Sequence, residues 1–315
     1  MGRREAITMN EARIEAARSP AARLVIDRRA VTRWGRGHPW IFANEILSRP
    51  AEDVPSGAVV TLVSPKGEAV GLATFNPHAL IACRRLAESP KTVIDAEFFA
   101  ARLRRADALR RRFLPQPFYR LVHGEADDLP GLVIDRFGDV FVLQLNTAGA
   151  EALLPCLLDG LHAACAPAAV VLRRDAPARR LEGLELRPPE VIGRLARPVV
   201  DVPEGGVTFR ADLLGGQKTG WYFDQRRNRA LIAGWAQEAR VLDLYCHTGG
   251  FALRAAAGGA RRVLAVDTAR PALALAEEAA RENGLADRVA FRHGDVRAVL
   301  RTLGQEGERF EIVVA

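Results

Sequence analysis

Three carboxylates close three apolar runs in the last quarter of the chain: Asp243 in VLDLY, Asp267 ending RRVLAVD and Asp295 ending RVAFRHGD. Between the first two lies the turn C-H-T-G-G-F, with Gly249 and Gly250 where a helix should begin. Glycines let the backbone approach a ligand closely. Asp267, 18 residues past Gly249, stands where a ribose-binding acid belongs in a nucleotide fold, and free N–H groups at the helix start would receive a carboxylate. A dinucleotide expects G-x-G-x-x-G around its pyrophosphate, and this turn does not match it. S-adenosylmethionine carries an ammonium and a sulfonium, which an acid such as Asp243 favours through Coulomb attraction in a low-dielectric cleft. A single acid at a strand end could be a helix cap. Three in register, one per strand, point to a cationic ligand, with a nicotinamide cofactor as the weaker alternative.

The elements that must position these acids alternate regularly from about Gly216. RALIAGWA, FALRAAAGGA, RPALALAEEAARENG and VRAVLRTLG have helical character, and RVLDLY, RRVLAVD, RVAFRHGD and FEIVVA read as strands. Apolar strands separated by helices predict a parallel, doubly wound sheet covered on both faces. Ligands of such sheets sit beyond the carboxyl ends of the strands.

Upstream, residues 23–86 read as short strands broken by Gly and Pro, with GAVVTLV and EAVGLATF flanking the turn SPKG as a hairpin. The stretch RWGRGHPWIF offers Arg33, Arg36, His38 and Trp40, cations beside an aromatic face, which suits RNA phosphates and stacked bases. Trp40 and Phe42 read more readily as core of a small β-barrel, while the arginines read equally as RNA contacts or as solvated surface. AEFFAARLRRADALRRRFL is an amphipathic basic helix stopped by Pro115 and Pro117. Strands at YRLVHG, LVIDRFG, VFVLQLN and AVVLRRD follow, with a helix at AEALLPCLLDGLHAAC that its proline could kink. RPVVDVPEGGVTFRADL reads as a hairpin. The expected division is a tail (1–21), a β-barrel domain (22–90), an α+β middle domain (95–205) and the α/β domain (206–315).

Charge is placed unevenly. Residues 1–120 carry 21 Lys+Arg against 12 Asp+Glu, and residues 121–315 carry 24 against 26. A basic front half points to a polyanion partner. No apolar run is long enough for a membrane span, and the N-terminus lacks the apolar core of a signal peptide. Cys83, Cys156, Cys165 and Cys246 show no CxxC spacing, so reduced thiols in a cytoplasmic protein are expected, with neither a metal site nor a disulfide framework. The sequence leaves a homodimer open.

VLDLYCHTGGFAL resembles motif I of class I methyltransferases, in the form found in the bacterial 23S rRNA (cytosine-C5)-methyltransferase family with a PUA domain. HGEADDLPGLVIDRFGDVFVLQ and GGQKTGWYFDQRRNR fit the same family, and the front barrel with RGHPWIF is similar to its PUA domain, an RNA-binding module. The resemblance runs from about residue 22 to the last residue. It implies a PUA-like barrel, an α+β middle domain and a Rossmann-like methyltransferase domain, here incomplete, acting with S-adenosylmethionine on a cytosine carbon 5 of 23S rRNA. It places Asp243, Tyr245, Gly249 and Gly250 around the methionine end, Asp267 at the ribose and Asp295 at the adenine amine. Lys218, Thr219 and Gln225 become cofactor contacts, although Lys218 could be a surface cation. Arg226, Arg227 and Arg229 reach RNA phosphate or cap a sheet edge. In GEADDLPG, Asp127 and Asp128 could simply form a turn.

Carbon 5 of cytosine is a poor nucleophile, and the usual solution is a cysteine thiolate added to carbon 6 of a flipped-out base. None of the four cysteines is well placed for this, Cys246 included, because it lies in the cofactor turn. In the family an Asp-Pro-Pro stretch and a cysteine follow the fourth strand, so the catalytic residues are expected beyond Ala315. The chain is accordingly expected to be a truncated, inactive fragment lacking roughly 80 residues of strand–helix units. The alternatives are methylation of a purine nitrogen and a non-catalytic RNA-binding protein on a methyltransferase-like scaffold.

Overall fold

A computed structural model describes Pro20 and residues 22–48 and 54–315; the expected tail, apart from Pro20, lies outside the described residues. The chain divides into two compact units, residues 1–195 and 196–315.

The first unit opens with a mixed six-stranded sheet in the order β2-β6-β5-β4-β1-β3. Its strands are β1 (Ala22–Ile26), β2 (Trp40–Phe42), β3 (Ile46–Ser48), β4 (Val59–Val63), β5 (Ala69–Phe75) and β6 (Ile81–Ala87). The expected hairpin across Ser64–Glu68 is β4 against β5. Sequence reading missed helix α1 (Arg28–Gly35), which Asp27 caps by accepting the Ala30 N–H at 2.7 Å. Its buried residues, Ala30 and Trp34, with the partly buried Val31, pack in one core with Leu24, Ile41, Leu62 and Phe75. The Trp34 indole N–H donates to the Val70 carbonyl at 2.9 Å, so this aromatic anchor is buried without an orphaned donor. Losing it would cost about 3–5 kcal/mol.

Helix α2 (Ala96–Arg111), with Asp95 as its N-cap, packs on helix α4 (Leu154–Cys165). A five-stranded sheet lies with them, in the order β11-β10-β9-β8-β7. It comprises β7 (Phe118–His123), β8 (Leu132–Phe137), β9 (Val140–Leu145), β10 (Ala169–Arg173) and the unanticipated β11 (Glu190–Gly193). The expected single helix from Ala150 is two, α3 (Ala148–Ala152) and α4, with Pro155 in the first turn of the second. A proline there lacks only an N–H that would be unpaired anyway, so it starts a helix instead of kinking one. Val59, Leu72 and Leu86 of the first sheet share a core with Phe99, Leu121, Ile134 and Leu157. That continuity makes residues 1–195 one unit.

In the second unit, β12 (Val199–Glu204) and β13 (Val207–Asp212) form the expected antiparallel hairpin. The division at 195/196 therefore assigns it to the second unit and not to the middle domain, and β13 packs on helix α7 (Arg270–Glu282). Helix α5 (Arg226–Trp235) follows. A parallel sheet then runs β16-β15-β14-β17, from β14 (Arg240–Leu244), β15 (Arg262–Asp267), β16 (Val289–His293) and β17 (Ile312–Val314). Helices α6 (Gly250–Ala257), α7 and α8 (Val296–Gln305) connect the strands. The order places a switch point beyond the carboxyl end of β14, between β15 and β17.

Candidate functional site

The turn after β14 is tightly built. Tyr245, His247 and Gly249 take φ of 59°, 51° and 75°, alternate left-handed positions within five residues. Two of them carry side chains, which costs energy unless the surroundings hold them. The Cys246 N–H donates to Val266 O at 3.0 Å, the Gly249 N–H to Cys246 O at 2.8 Å, and the His247 N–H to Asp267 Oδ2 at 2.8 Å. At Gly249 a side chain would meet the Ala276 methyl at 3.1 Å as well as an unfavourable φ, so glycine is required there.

All three acids of the sequence motif brace backbone. Asp243 Oδ2 accepts the Ala252 N–H at 2.8 Å in the first turn of α6. The helix start thus already has an anionic partner where a ligand carboxylate was expected, and the capping reading of this acid holds for the protein chain itself. Burial pushes the Asp243 carboxyl up to about 7; the Ala252 bond opposes that shift and the nearby Asp267 adds to it. Asp267 Oδ1 accepts from the Ala269 N–H at 2.8 Å, so both its oxygens hold backbone. Asp295 is exposed and caps α8 through the Ala298 N–H at 3.0 Å. Each ionised oxygen has a second lone pair, so bracing the loops and holding a ligand are compatible roles.

Beside the turn opens a cleft of about 460 Å³, counting its mouth, between three walls. One is Asp212 with Gly215–Gln217 and Gly220, the second His247–Thr248, and the third Ala269 with Pro271, Ala272 and Leu275 on α7. Asp212 organises the first wall. Its Oδ1 accepts the Leu214 and Gly215 N–H groups at 3.0 and 2.9 Å. A side chain at Gly220, whose φ is 100°, would come within 2.6 Å of the Asp212 carbonyl. Sequence reading did not single out Asp212, Gln217, His247 or Thr248, although the last three lie in the quoted stretches GGQKTGWYFDQRRNR and VLDLYCHTGGFAL; for Asp212 the signal was an Asp three residues before a Gly-Gly pair, the pattern of a side-chain-braced turn.

None of the expected cofactor residues, the three acids and Gly249–Gly250 included, is on the walls of this cleft. The Lys218 ammonium sits 4.2 Å from the centre of the Tyr222 ring and 4.0 Å from Asp224. Thr219 is buried, its hydroxyl 3.4 Å from Trp221 O. Gln225 accepts from Asn228 at 2.9 Å. Tyr245 is 63 % exposed. Tyr222 ties the segment to the turn: its hydroxyl donates to Gln217 at 2.7 Å and its ring meets His247 edge-on at 5.5 Å. Burial raises the Tyr222 phenol, with Asp224 and Asp267 adding to it, and burial holds His247 below its ordinary value against the pull of Asp267.

The expected RNA contacts divide. Arg33 is committed to Glu45 at 2.7 Å, and the His38 Nδ1 accepts from the Trp40 N–H at 3.2 Å. Arg36 is exposed. The Trp40 indole N–H donates to Glu125 at 2.8 Å, so this ring is tied to GEADDLPG. There Asp127 takes two bonds from Arg110, both at 2.6 Å, and the His123 N–H at 2.7 Å, which agrees with the turn-forming reading. Arg229 is a correction. Its side chain is 2 % exposed and forked onto Glu204, so an RNA phosphate has no access to it. Arg226 also pairs with Glu204, at 3.1 Å. Burial disfavours the Glu204 carboxylate, but the Arg229 bond and charge, with the charge of Arg226, hold its carboxyl below the usual range. Among the described residues no cluster of His, Cys, Asp and Glu could hold a metal, and no helix is long and apolar enough to cross a membrane.

Residues 24–88 match the PUA-like domain family and residues 170–310 the S-adenosylmethionine-dependent methyltransferase family. The chain is 36% identical over 283 residues to the ribosomal RNA large subunit methyltransferase I of Cronobacter sakazakii, covering 89% of this chain and 71% of that protein. The Escherichia coli SMS-3-5 protein of the same name is 35% identical, with the same coverage. Among solved structures, a SAM-dependent methyltransferase from Streptococcus mutans superposes with a TM-score of 0.79 over 93% of this chain and 76% of that one, at 19% identity. A methyltransferase complexed with SAH gives 0.80 over 93% and 75%, also at 19% identity. At that identity the likeness is one of fold: a PUA-like domain joined to a methyltransferase.

Proposed function

Because the chain belongs to the ribosomal RNA large subunit methyltransferase I family and uses S-adenosylmethionine, we propose that it methylates carbon 5 of a cytosine in 23S rRNA. The observation that carries the reading is the cleft between Gly215–Gly220 and the His247–Gly249 turn, with the buried acid Asp243 at the end of the strand leading into that turn. An isolated acid buried this deeply resists ionisation. A ligand that brings an ammonium and a sulfonium supplies the missing positive charge, which a phosphorylated ligand would not. In this reading Asp243 faces the methionine end, Asp267 the ribose and Asp295 the adenine, with Gly216, Gln217 and Gly220 forming the wall opposite α7. When bound, the cofactor supplies an electrophilic methyl group.

The protein's own residues do the positioning. His247, kept neutral by burial, adds no cation to compete with the ligand. Cys246 is buried, and burial followed by repulsion from Asp243 and Asp267 keeps its thiol protonated. Cys165 is likewise pushed up to about 11, mainly by burial. The reading therefore assigns the thiolate that activates carbon 6 to neither of them.

RNA binding belongs, in this reading, to the PUA-like domain. Arg28, Arg29 and Arg36 are exposed on α1 or at its C-cap. At about 100° per residue they fall within roughly 100° of arc, opposite Ala30 and Trp34. That is a phosphate-facing basic face on a helix whose other side is anchored in the core.

The test is product identity. 23S rRNA lacking the modification is incubated with the protein and methyl-labelled S-adenosylmethionine, then digested to nucleosides for mass spectrometry. Label in 5-methylcytidine is expected. Label in an N-methylated purine refutes the proposal, and so does binding of S-adenosylmethionine without transfer, the outcome that an inactive fragment would give.

A further inference from the structure

Building on the cofactor site proposed above, we propose that Arg229 is a positioning residue for that site: held by Glu204, it fixes the segment Gly215–Gln225 against the first turn of α6. One side chain reaches three elements. Its Nε and Nη2 donate to Glu204 Oε1 and Oε2 at 2.7 and 2.8 Å, a two-pronged bond at the end of β12. Its Nη1 donates to the Tyr222 carbonyl at 3.0 Å, and its guanidinium lies 4.5 Å from the centre of the Trp221 ring. At α6, a side chain on Gly250 would come within 3.2 Å of Arg229 Cδ and 3.4 Å of Trp221 Cη2. Arg229 and Trp221 thus pack closely on Gly250, and a side chain there would press on both.

The consequence for the cleft passes through Tyr222, which meets two of the three walls through Gln217 and His247. Moving the Tyr222 carbonyl moves both contacts. Glu204 is itself held. Arg226 adds a second cation at 3.1 Å, and Arg254 of α6 donates to the neighbouring Gly205 carbonyl. At the other strand of the hairpin, Asn283 at the end of α7 accepts the Thr208 N–H at 2.9 Å and donates to the Thr208 carbonyl at 2.7 Å. The hairpin therefore grips α7, which forms the third wall, and Arg229 at once. A planar fork suits this task, because an ammonium cannot bond both carboxylate oxygens and a carbonyl in one plane.

The experiment compares wild type with Arg229→Met, Arg229→Lys and Glu204→Gln. It measures the Kd for S-adenosylhomocysteine by calorimetry, KM and kcat for methyl transfer, and the Kd for 23S rRNA across a salt series. The expected results for Arg229→Met are an S-adenosylhomocysteine Kd raised at least tenfold and a loss that falls on KM for S-adenosylmethionine more than on kcat. Arg229→Lys should recover part of the affinity, and RNA affinity and its salt slope should stay as in wild type. If Arg229→Met does not fold, Glu204→Gln, which keeps size and one acceptor, gives the same readout. Folded variants that bind S-adenosylhomocysteine like wild type overturn the inference. So does a weakened RNA affinity with a salt slope smaller by about one, the mark of a lost phosphate contact. Failure of the wild type itself to bind S-adenosylhomocysteine would instead overturn the cofactor site, and this inference with it.

Discussion

Neutralising Asp243 separates its two roles, because Asp243→Asn keeps an oxygen that can accept the Ala252 N–H while removing the charge. The folded carboxyl titrates near 7, against an ordinary value of 3.8. Its folded value is raised, so the unfolded chain gives up the proton first. The contribution of this group to stability is therefore largest below about pH 4, declines as pH rises toward 7, and is level above that. The full difference is about 4 kcal/mol at most, at about 1.4 kcal/mol per pKa unit. Ligand binding has the opposite sign. A cationic ligand favours the ionised acid, so its apparent Kd falls as pH rises through 7 and is about tenfold weaker at pH 6 than at pH 8. Calorimetry with S-adenosylmethionine, which carries both the ammonium and the sulfonium, at pH 6, 7 and 8 and constant ionic strength, paired with thermal melts, reads both effects. Asp243→Asn should bind more weakly at pH 8, lose the pH dependence, and melt no lower than wild type at that pH. A flat wild-type profile, together with an amide variant of unchanged affinity, would refute the argument that this buried charge selects the ligand.

Two further outcomes follow from the placement of side chains. Replacing Arg28, Arg29 and Arg36 together by Gln should weaken 23S rRNA binding at least tenfold at physiological salt and reduce the salt slope by about two to three. Melting should move little, since surface changes of this kind stay within about 0.5 kcal/mol each; filter binding across a salt series and a thermal melt check both. Cys246→Ala should retain methyl transfer, and the wild-type thiol should resist iodoacetamide at pH 8, because burial and two neighbouring acids keep it protonated; loss of product formation in the alanine variant would place the nucleophile there after all.

The alternation of apolar strands and helices, the Gly249–Gly250 turn and three acids at strand ends are local patterns, set by periods of two and 3.6 residues and by the steric freedom of glycine. They were legible in the sequence and carried the methyltransferase fold and its cofactor. Partners that depend on contacts across many residues were not. Glu204 and Arg229 are 25 residues apart, Trp40 and Glu125 85, and Asp267 and His247 20. Nothing in a one-dimensional pattern distinguishes an arginine facing phosphate from one forked onto a buried carboxylate. Helix α1 escaped because its eight residues make barely two turns, too short a window for the helical period to be separated from the strands around it, and its stability comes from the core that Trp34 enters. The sequence by itself determined which residue types gather at the sheet's carboxyl edge; only the tertiary structure decided which charges are neutralised by the protein and which remain for a ligand, because that depends on burial and on partners brought together by folding.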